Sequence, residues 1–251
     1  MDRIVRRLLV GYGGWRDNAR LVEGMTLGDL LHAYFSFPTI QIYAVLAAAA
    51  LGLTAVFFDG AARLALGTVI AVVVYSLVEY LFHRFVLHGR RLYQHRATAA
   101  LWKRVHYDHH QDTSNLSVMF GAPQTTLTPI LVIAIPLGWL VDGAAGAAFG
   151  VFCGIVLTAI YEFFHLYQHV PWEPGSAWLR RLKKRHLAHH FHNETGNFGI
   201  TTDVWDRVLG TNYDSVRERP RSSNVRHLGY AGDEARRFPW VTQLSESERR
   251  R

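Results

Sequence analysis

The chain has 251 residues, enough for one large domain or two small ones, with 49 % hydrophobic residues and a mean hydropathy of only +0.04. It carries 27 Lys and Arg against 20 Asp and Glu, a net charge of +7 that suits either nucleic acid or an anionic membrane surface. One cysteine, Cys153, excludes an intramolecular disulfide and any cysteine-built zinc, iron–sulfur or Cys-x-x-Cys-His haem site.

Residues 1–39 mix Arg3, Arg6, Arg7, Arg16 and Arg20 with Ile4, Leu8, Leu9, Trp15, Leu21 and Val22. That mixture suits a segment lying on a membrane surface, or an amphipathic soluble helix, and Pro38 ends it. The apolar run Leu8-Leu9-Val10 is too short for a signal peptide. From Ile40 to Phe58 there is no charge, Asp59-Gly60 marks a chain reversal, and Ala61 to Phe82 carries only Arg63 and Glu79. These stretches hold 19 and 22 residues, close to the roughly 20 that cross a bilayer as helix. A second block repeats the first: Thr125 to Val141 is uncharged, Asp142-Gly143 turns the chain, and Ala144 to Phe164 carries only Glu162. Pro129 and Pro136 are expected to bend or shorten its first helix.

The predicted fold is therefore an all-α integral membrane protein, with spans at about 40–58, 61–82, 125–141 and 144–164 in two hairpins. Residues 40–212 form the membrane domain and 213–251 a C-terminal tail, rich in Arg, Ser, Glu and Pro and loosely ordered at its end. Of the 27 Lys and Arg, 26 lie outside both hairpins, so the basic charge reads as membrane orientation and not as nucleic-acid binding. The positive-inside rule places the polar segments in the cytoplasm. The basic run Arg180-Arg181-Leu182-Lys183-Lys184-Arg185 is expected to face lipid headgroups. Abundant Ala, Gly and Arg suggest a GC-rich bacterial genome and hence an inner membrane.

Histidine carries the chemistry. His83, His88, His106, His109 and His110 recur downstream as His165, His169, His186, His189 and His190, with gaps of 5, 18, 3 and 1 against 4, 17, 3 and 1. Ten of the 14 histidines fall in this pattern; His32, His95, His192 and His227 do not. Residues at i, i+3 and i+4 share a helical face, and crowded imidazoles suit a divalent metal better than a packed core. His83 and His88 are five apart and converge only if the helix ends or bends between Arg84 and Leu87. Ten ligands fit two metals, with a pseudo-twofold arrangement letting each draw on both halves. Glu79 and Glu162, one turn before each cluster, are expected to accept a hydrogen bond from a ligand imidazole.

The order His-x4-His, His-x2-His-His, His-x3-His, His-x2-His-His on a four-span frame resembles the fatty acid hydroxylase/sterol desaturase superfamily. Leu77 to His88 looks like its first box. His186 through Gly199-Ile-Thr-Thr-Asp-Val-Trp-Asp-Arg-Val-Leu-Gly-Thr211 looks like the closing box of fatty acid 2-hydroxylases. The resemblance covers about residues 70–212. It implies a non-haem di-iron oxygenase that hydroxylates a C–H bond of an acyl chain with dioxygen, and zinc can replace iron in an isolated sample. Many eukaryotic 2-hydroxylases carry a fused haem domain with a His-Pro-Gly-Gly signature, which is not found here, so electrons are expected from a separate reductase or carrier. The alternatives are a desaturase, or a sterol or carotenoid hydroxylase, on the same site. A metal transporter or sensor fits less well, because the ligands gather at one membrane face. A metal hydrolase is weaker still, as there is no His-Glu-x-x-His.

Overall fold

The computed structural model describes residues 24–58 and 60–249. The arginine-rich start, residues 1–23, and Asp59 of the first turn lie outside the described residues. Thr26 opens helix α1 (Leu27–Ser36) with a capping box: its hydroxyl accepts from the Asp29 amide, and the Asp29 carboxylate accepts from the Thr26 amide. Pro38 ends α1 as expected and also begins α2 (Pro38–Phe57), since proline is tolerated in a first helical turn. Helix α3 (Ala61–Leu81) follows Gly60. Beyond it, the winding changes in place of the expected end or bend. Phe82–Leu87 is a π-helical turn, and the His88 amide donates to the His83 carbonyl at 3.1 Å. An i→i+5 turn sets residues five apart on one face, which brings His83 and His88 together.

A run of short elements comes next: α4 (Arg91–Gln94), α5 (Arg96–Trp102), a second π turn (Lys103–Tyr107) and α6 (Asp108–Gln111). Helix α7 (Pro123–His169) is interrupted at Asp142 (φ −155°, ψ 41°) and Gly143 (φ +52°), a left-handed conformation that glycine adopts without strain. Its arms, residues 123–141 and 144–169, fold back on each other. A methyl group on Gly138 would lie 2.1 Å from the Gly146 carbonyl oxygen, and one on Gly150 would lie 2.8 Å from that of Ala134. Pro129 and Pro136 are accommodated inside the first arm without ending it.

By length and apolarity, α2, α3 with its π turn, and the stretch containing α7 can cross a membrane. Their outward faces carry apolar side chains in the open, including Val56 (73 % exposed), Val132 (68 %) and Leu140 (82 %), as expected where lipid is the solvent. Helices α1 and α2 share a buried core with the second arm of α7, made by Leu30, Tyr34, Ile40, Tyr43, Ile155 and Leu166. The Tyr34 hydroxyl donates to the Ala159 carbonyl at 2.7 Å.

The remaining helices are α8 (Ala177–Phe191), α9 (Val204–Val208), α10 (Asp233–Arg237) and α11 (Trp240–Arg249). One expectation fails here and another is qualified. The C-terminal tail is ordered through residue 249: Tyr230 and Val241 share a core with Tyr93 and Trp102, and Glu248 pairs with the buried Lys103 at 2.8 Å. The aromatic residues of 230–240 supply the burial that a composition rich in Arg, Ser and Glu concealed. The basic run of α8, residues 180–185, is divided between surface and interior. Lys183 (5 % exposed) donates to the Val170 and Trp172 carbonyls, and Arg185 (2 %) lies among Asp203, Asp206 and Asp214. Arg180, Arg181 and Lys184, three of the five basic residues of the run, stay in the open.

Candidate metal centre

All ten histidines of the two clusters come together. Their ring nitrogens form two groups, each within a 4.8 Å span. One group is His109, His165, His169, His186 and His190, and the other is His83, His88, His110 and His189. His106 stands beside the smaller group, its Nε2 2.8 Å from that of His88. Each group is mostly one cluster plus one histidine from the other: His109 crosses to the downstream set and His189 to the upstream set. The repeat makes these two positions equivalent, so the expected pseudo-twofold sharing takes the form of a reciprocal exchange. His32, His95, His192 and His227 are outside both groups, and His192 Nε2 is bonded to the Arg219 carbonyl at 2.8 Å.

The donor set fits metal ions. Nε2 atoms approach each other at 2.9 Å (His165–His109), 2.8 Å (His169–His186) and 3.2 Å (His109–His190). Two imidazoles on one zinc-sized ion, at about 2.1 Å and angles between right and tetrahedral, have nitrogens roughly 3.0–3.4 Å apart. Two ring nitrogens of the smaller group, Nε2 of His110 and of His189, are buried with no hydrogen-bond partner. Buried polar atoms without partners are costly, and a cation among them removes that cost. Burial and the neighbouring rings also keep the imidazoles neutral, as ligands must be. The pKa values of His186, His189 and His190 fall well below the usual 6.5, and that of His110 is pushed down to about 3.

Main-chain carbonyls orient the rings. Nδ1–H donates to Phe198 O from His83 (2.5 Å), to Met119 O from His165 (3.1 Å), to Val225 O from His110 (2.8 Å) and to Gly196 O from His189 (2.8 Å). Each bond commits the proton to Nδ1 and leaves the Nε2 lone pair for metal. The loop after α8 supplies two of these carbonyls around Asn197, whose left-handed backbone (φ +57°) an asparagine tolerates. The Asn197 side chain fixes the turn by donating to Tyr213 O at 2.9 Å and accepting from the Tyr213 amide at 3.0 Å.

Glu79 and Glu162 work differently from the expectation: neither accepts from an imidazole. Glu79 accepts from the Ile200 and Thr201 amides (2.7 and 3.0 Å) and from the Thr201 hydroxyl, while Glu162 accepts from the Gly121 amide at 2.9 Å. Each carboxylate thus anchors the chain two residues past the carbonyl that orients the first histidine of its own cluster: Phe198 for His83, and Met119 for His165. A short acidic side chain one turn below a ligand reaches the loop over the ring more readily than the ring itself.

Asp206, fully buried, accepts from the Phe198 and Gly199 amides at 2.9 and 2.8 Å and from the Thr211 hydroxyl at 2.6 Å. Nothing in the histidine spacing pointed to it, to Asn197 or to the Val225 carbonyl. Asp206 is buried, charged and flanked by Gly199 and Gly210, and that pattern alone marks it as a loop organiser.

A cavity of about 550 Å³ begins at the histidines, bordered by His83, His109 and His165, and runs between α3 and α7 past Val78, Ala71 and Gly67 to Arg63 and Gly146. Along α7, nineteen residues separate Gly146 from His165, roughly 28 Å of helix. Most of its wall is apolar, with Tyr75, Thr158, Tyr161 and Gln124 among its polar groups and Glu79 and Glu162 near the histidines, and the Tyr161 ring stacks on His165 at 5.9 Å.

Membrane-length helices ending in a histidine cluster able to hold metal define an integral membrane protein of the polyhistidine class. The fatty acid hydroxylase family model matches residues 68–211, more than half of the chain, and the chain belongs to that family. It is 32 % identical over 151 residues to a dihydroceramide fatty acyl 2-hydroxylase of Arabidopsis thaliana, covering 58 % of this chain and 61 % of that one. It is 33 % identical over 152 residues to the ceramide very long chain fatty acid hydroxylase of Saccharomyces cerevisiae, covering 57 % and 36 %. The chain therefore spans about three fifths of the plant relative and little more than a third of the yeast one. Among solved structures, full-length scs7p, with only its hydroxylase domain visible, superposes with a TM-score of 0.60 at 22 % identity, covering 84 % of this chain and 74 % of that one.

Proposed function

We propose that this chain is an integral-membrane lipid hydroxylase that uses dioxygen to place a hydroxyl on a C–H bond of a fatty acyl chain or acyl lipid. One observation carries the reading: two buried histidine groups lie at the head of a long, mostly apolar cavity. The ten histidines of the two clusters would hold two ions, with His109 and His189 exchanged between the halves. Iron fits the chemistry, because zinc has no redox activity. When bound, the ions supply the reduction of dioxygen. One oxygen atom enters the C–H bond and the other leaves as water, with two electrons and two protons arriving from a separate reductase or carrier.

The protein's own part is binding and orientation. The cavity takes an aliphatic tail and keeps water from the reacting carbon. The carbonyls of Met119, Gly196, Phe198 and Val225 fix four rings, and Glu79, Glu162, Asn197 and Asp206 fix most of the loops that bear those carbonyls. Residues 40–212 make up the oxygenase unit in this reading, with the tail packed on it. The two arms of α7 cross the membrane separately, giving four spans, because one straight 47-residue helix would be about 70 Å long. The histidine end then faces the cytoplasm, since nearly every Lys and Arg lies on that side.

The test is expression in a bacterial host with lipid profiling, comparing the wild type with His109→Ala. Acyl products gaining one oxygen atom in the wild type alone support the reading. Products lacking two hydrogens would make it a desaturase, and unchanged lipids in iron-loaded, reductase-supplied membranes would end it.

A further inference from the structure

The sequence repeat relates the two histidine groups, but they are not held alike. In the group of His83, His88, His110 and His189, three rings donate Nδ1–H to a carbonyl. In the group of five, only His165 does so, and Nδ1 of His109, His186 and His190 lacks a partner. The repeat pairs His110 with His190, so the anchor on His110 has no counterpart in the other half. That anchor, Val225 O, lies in the C-terminal segment beyond residues 68–211, the part the family match covers.

The segment is tied to both histidine-bearing helices. On the α6 side, Arg226 donates to the Gln111 carbonyl at 2.8 Å, and the Gln111 side chain donates back to the Arg226 carbonyl. On the α8 side, the Ser222 amide donates to His192 O at 2.8 Å, and Asn193 donates to Pro220 O at 2.8 Å. Val225 itself is buried, whereas Arg226 and Gln111 are exposed. The link next to His110 is therefore a surface clasp holding a buried carbonyl against a ligand ring.

We propose that residues 219–230 form a positioning strap that orients His110 through the Val225 carbonyl, making the site of His83, His88, His110 and His189 the tighter of two metal sites. The inference rests on the reading that both groups hold metal. A ring already fixed in tautomer and rotation gives up less freedom on binding an ion. Loss of such an outer partner typically lowers metal affinity roughly 10- to 100-fold.

The test is a cobalt(II) titration of the full chain, purified in detergent and stripped of metal, followed by visible absorbance and metal content per chain. The wild type should fill in two separated steps. His189→Ala should remove the tighter step and His186→Ala the weaker one; the reverse assignment overturns the proposal. Arg226→Ala and Gln111→Ala, both surface changes, should weaken the tighter step roughly 10- to 100-fold and leave the weaker one in place. Arg226→Lys, which can still donate to the Gln111 carbonyl, should recover most of it. Equal weakening of both steps, or none, would show the strap to be general packing and refute its role. A wild-type chain that binds no cobalt would bring down the metal reading, and the strap with it.

Discussion

If the cavity takes the acyl chain, its depth sets the longest chain that fits, and two small residues on α3 allow that depth to be changed. Ala71 and Gly67 both line the cavity, 12 and 16 residues before His83. Those offsets correspond to roughly 18 and 24 Å along the helix. An extended chain advances about 1.2 Å per covalent bond, so a plug at Ala71 leaves room for about 15 methylenes and one at Gly67 for about 20. Ala71→Phe and Gly67→Phe should therefore set length limits about five carbons apart. Space exists at the second position, since a methyl group on Gly67 would sit 3.6 Å from the Phe149 ring. Each methylene forced out forfeits about 0.8 kcal/mol of burial, close to a fourfold fall in kcat/KM, so two methylenes too many cost about 15-fold. The assay is competition among acyl chains of graded length in membranes, with hydroxylated products resolved by mass spectrometry. Identical cut-offs in both variants, or a loss of activity independent of length, would refute the cavity as a ruler.

The remaining expectations concern the centre and the hairpin. Glu79→Ala frees the Ile200–Thr201 turn and, through Phe198 O, the His83 ring, so it should lower metal affinity by roughly 10-fold or more, with Glu79→Gln retaining part of it; metal content after dialysis is the readout. Gly138→Val forces the α7 arms apart at a point where even a methyl group meets the Gly146 carbonyl, and should destabilise the chain by about 1–3 kcal/mol or more, measured by thermal unfolding in detergent. The acid sensitivity of the metal-free chain has a definite sign. Buried histidines such as His110, held down to about 3 against 6.5 when unfolded, are neutral in the fold while the unfolded chain takes protons. Stability is then full above pH 6.5 and falls below it by about 1.4 kcal/mol per pH unit for each such group, so an unfolding midpoint that stays flat from pH 8 to 5 would contradict the burial argument. Bound metal should raise the midpoint throughout, and a chelator should return it to the metal-free value.

Much of this was legible in the sequence because its signals are periodic. Uncharged runs of membrane length, the two Asp-Gly breaks and the matched histidine gaps give the long helices, the reversal within α7 and the ten converging rings. What escaped depends on main-chain geometry. The π turn at Phe82–Leu87 leaves no compositional trace, yet it lets a five-residue gap do in one cluster what a four-residue gap does in the other. The carbonyl acceptors are invisible by nature, since any residue can supply one; Gly196 does so as well as Phe198, Met119 and Val225. The basic run of α8 was legible only in part, because charge alone does not say that Asp203, Asp206 and Asp214 will come back to meet Arg185. The tail misled because its average composition hid Tyr230, Trp240 and Val241.

The five-against-four spacing also explains how a repeated unit builds two sites that are similar but not identical. The α3 turn reaches its second histidine by widening to π, whereas α7 keeps α winding from His165 to His169. The same carboxylate-and-carbonyl device then fixes the first ring in each half, Glu79 with Phe198 and Glu162 with Met119. Past that point the halves diverge, because the upstream half gains its extra carbonyls from segments late in the chain: Gly196 after α8, and Val225 in the tail. An ion held in the smaller group would therefore depend on segments far apart in sequence, from His83 to Val225, that meet only in the finished fold. The larger group takes four of its five rings from α7 and α8, adjacent in sequence, and needs only His109 from elsewhere. Ligand identity is nearly symmetric, but the order in which the two sites can be completed is not.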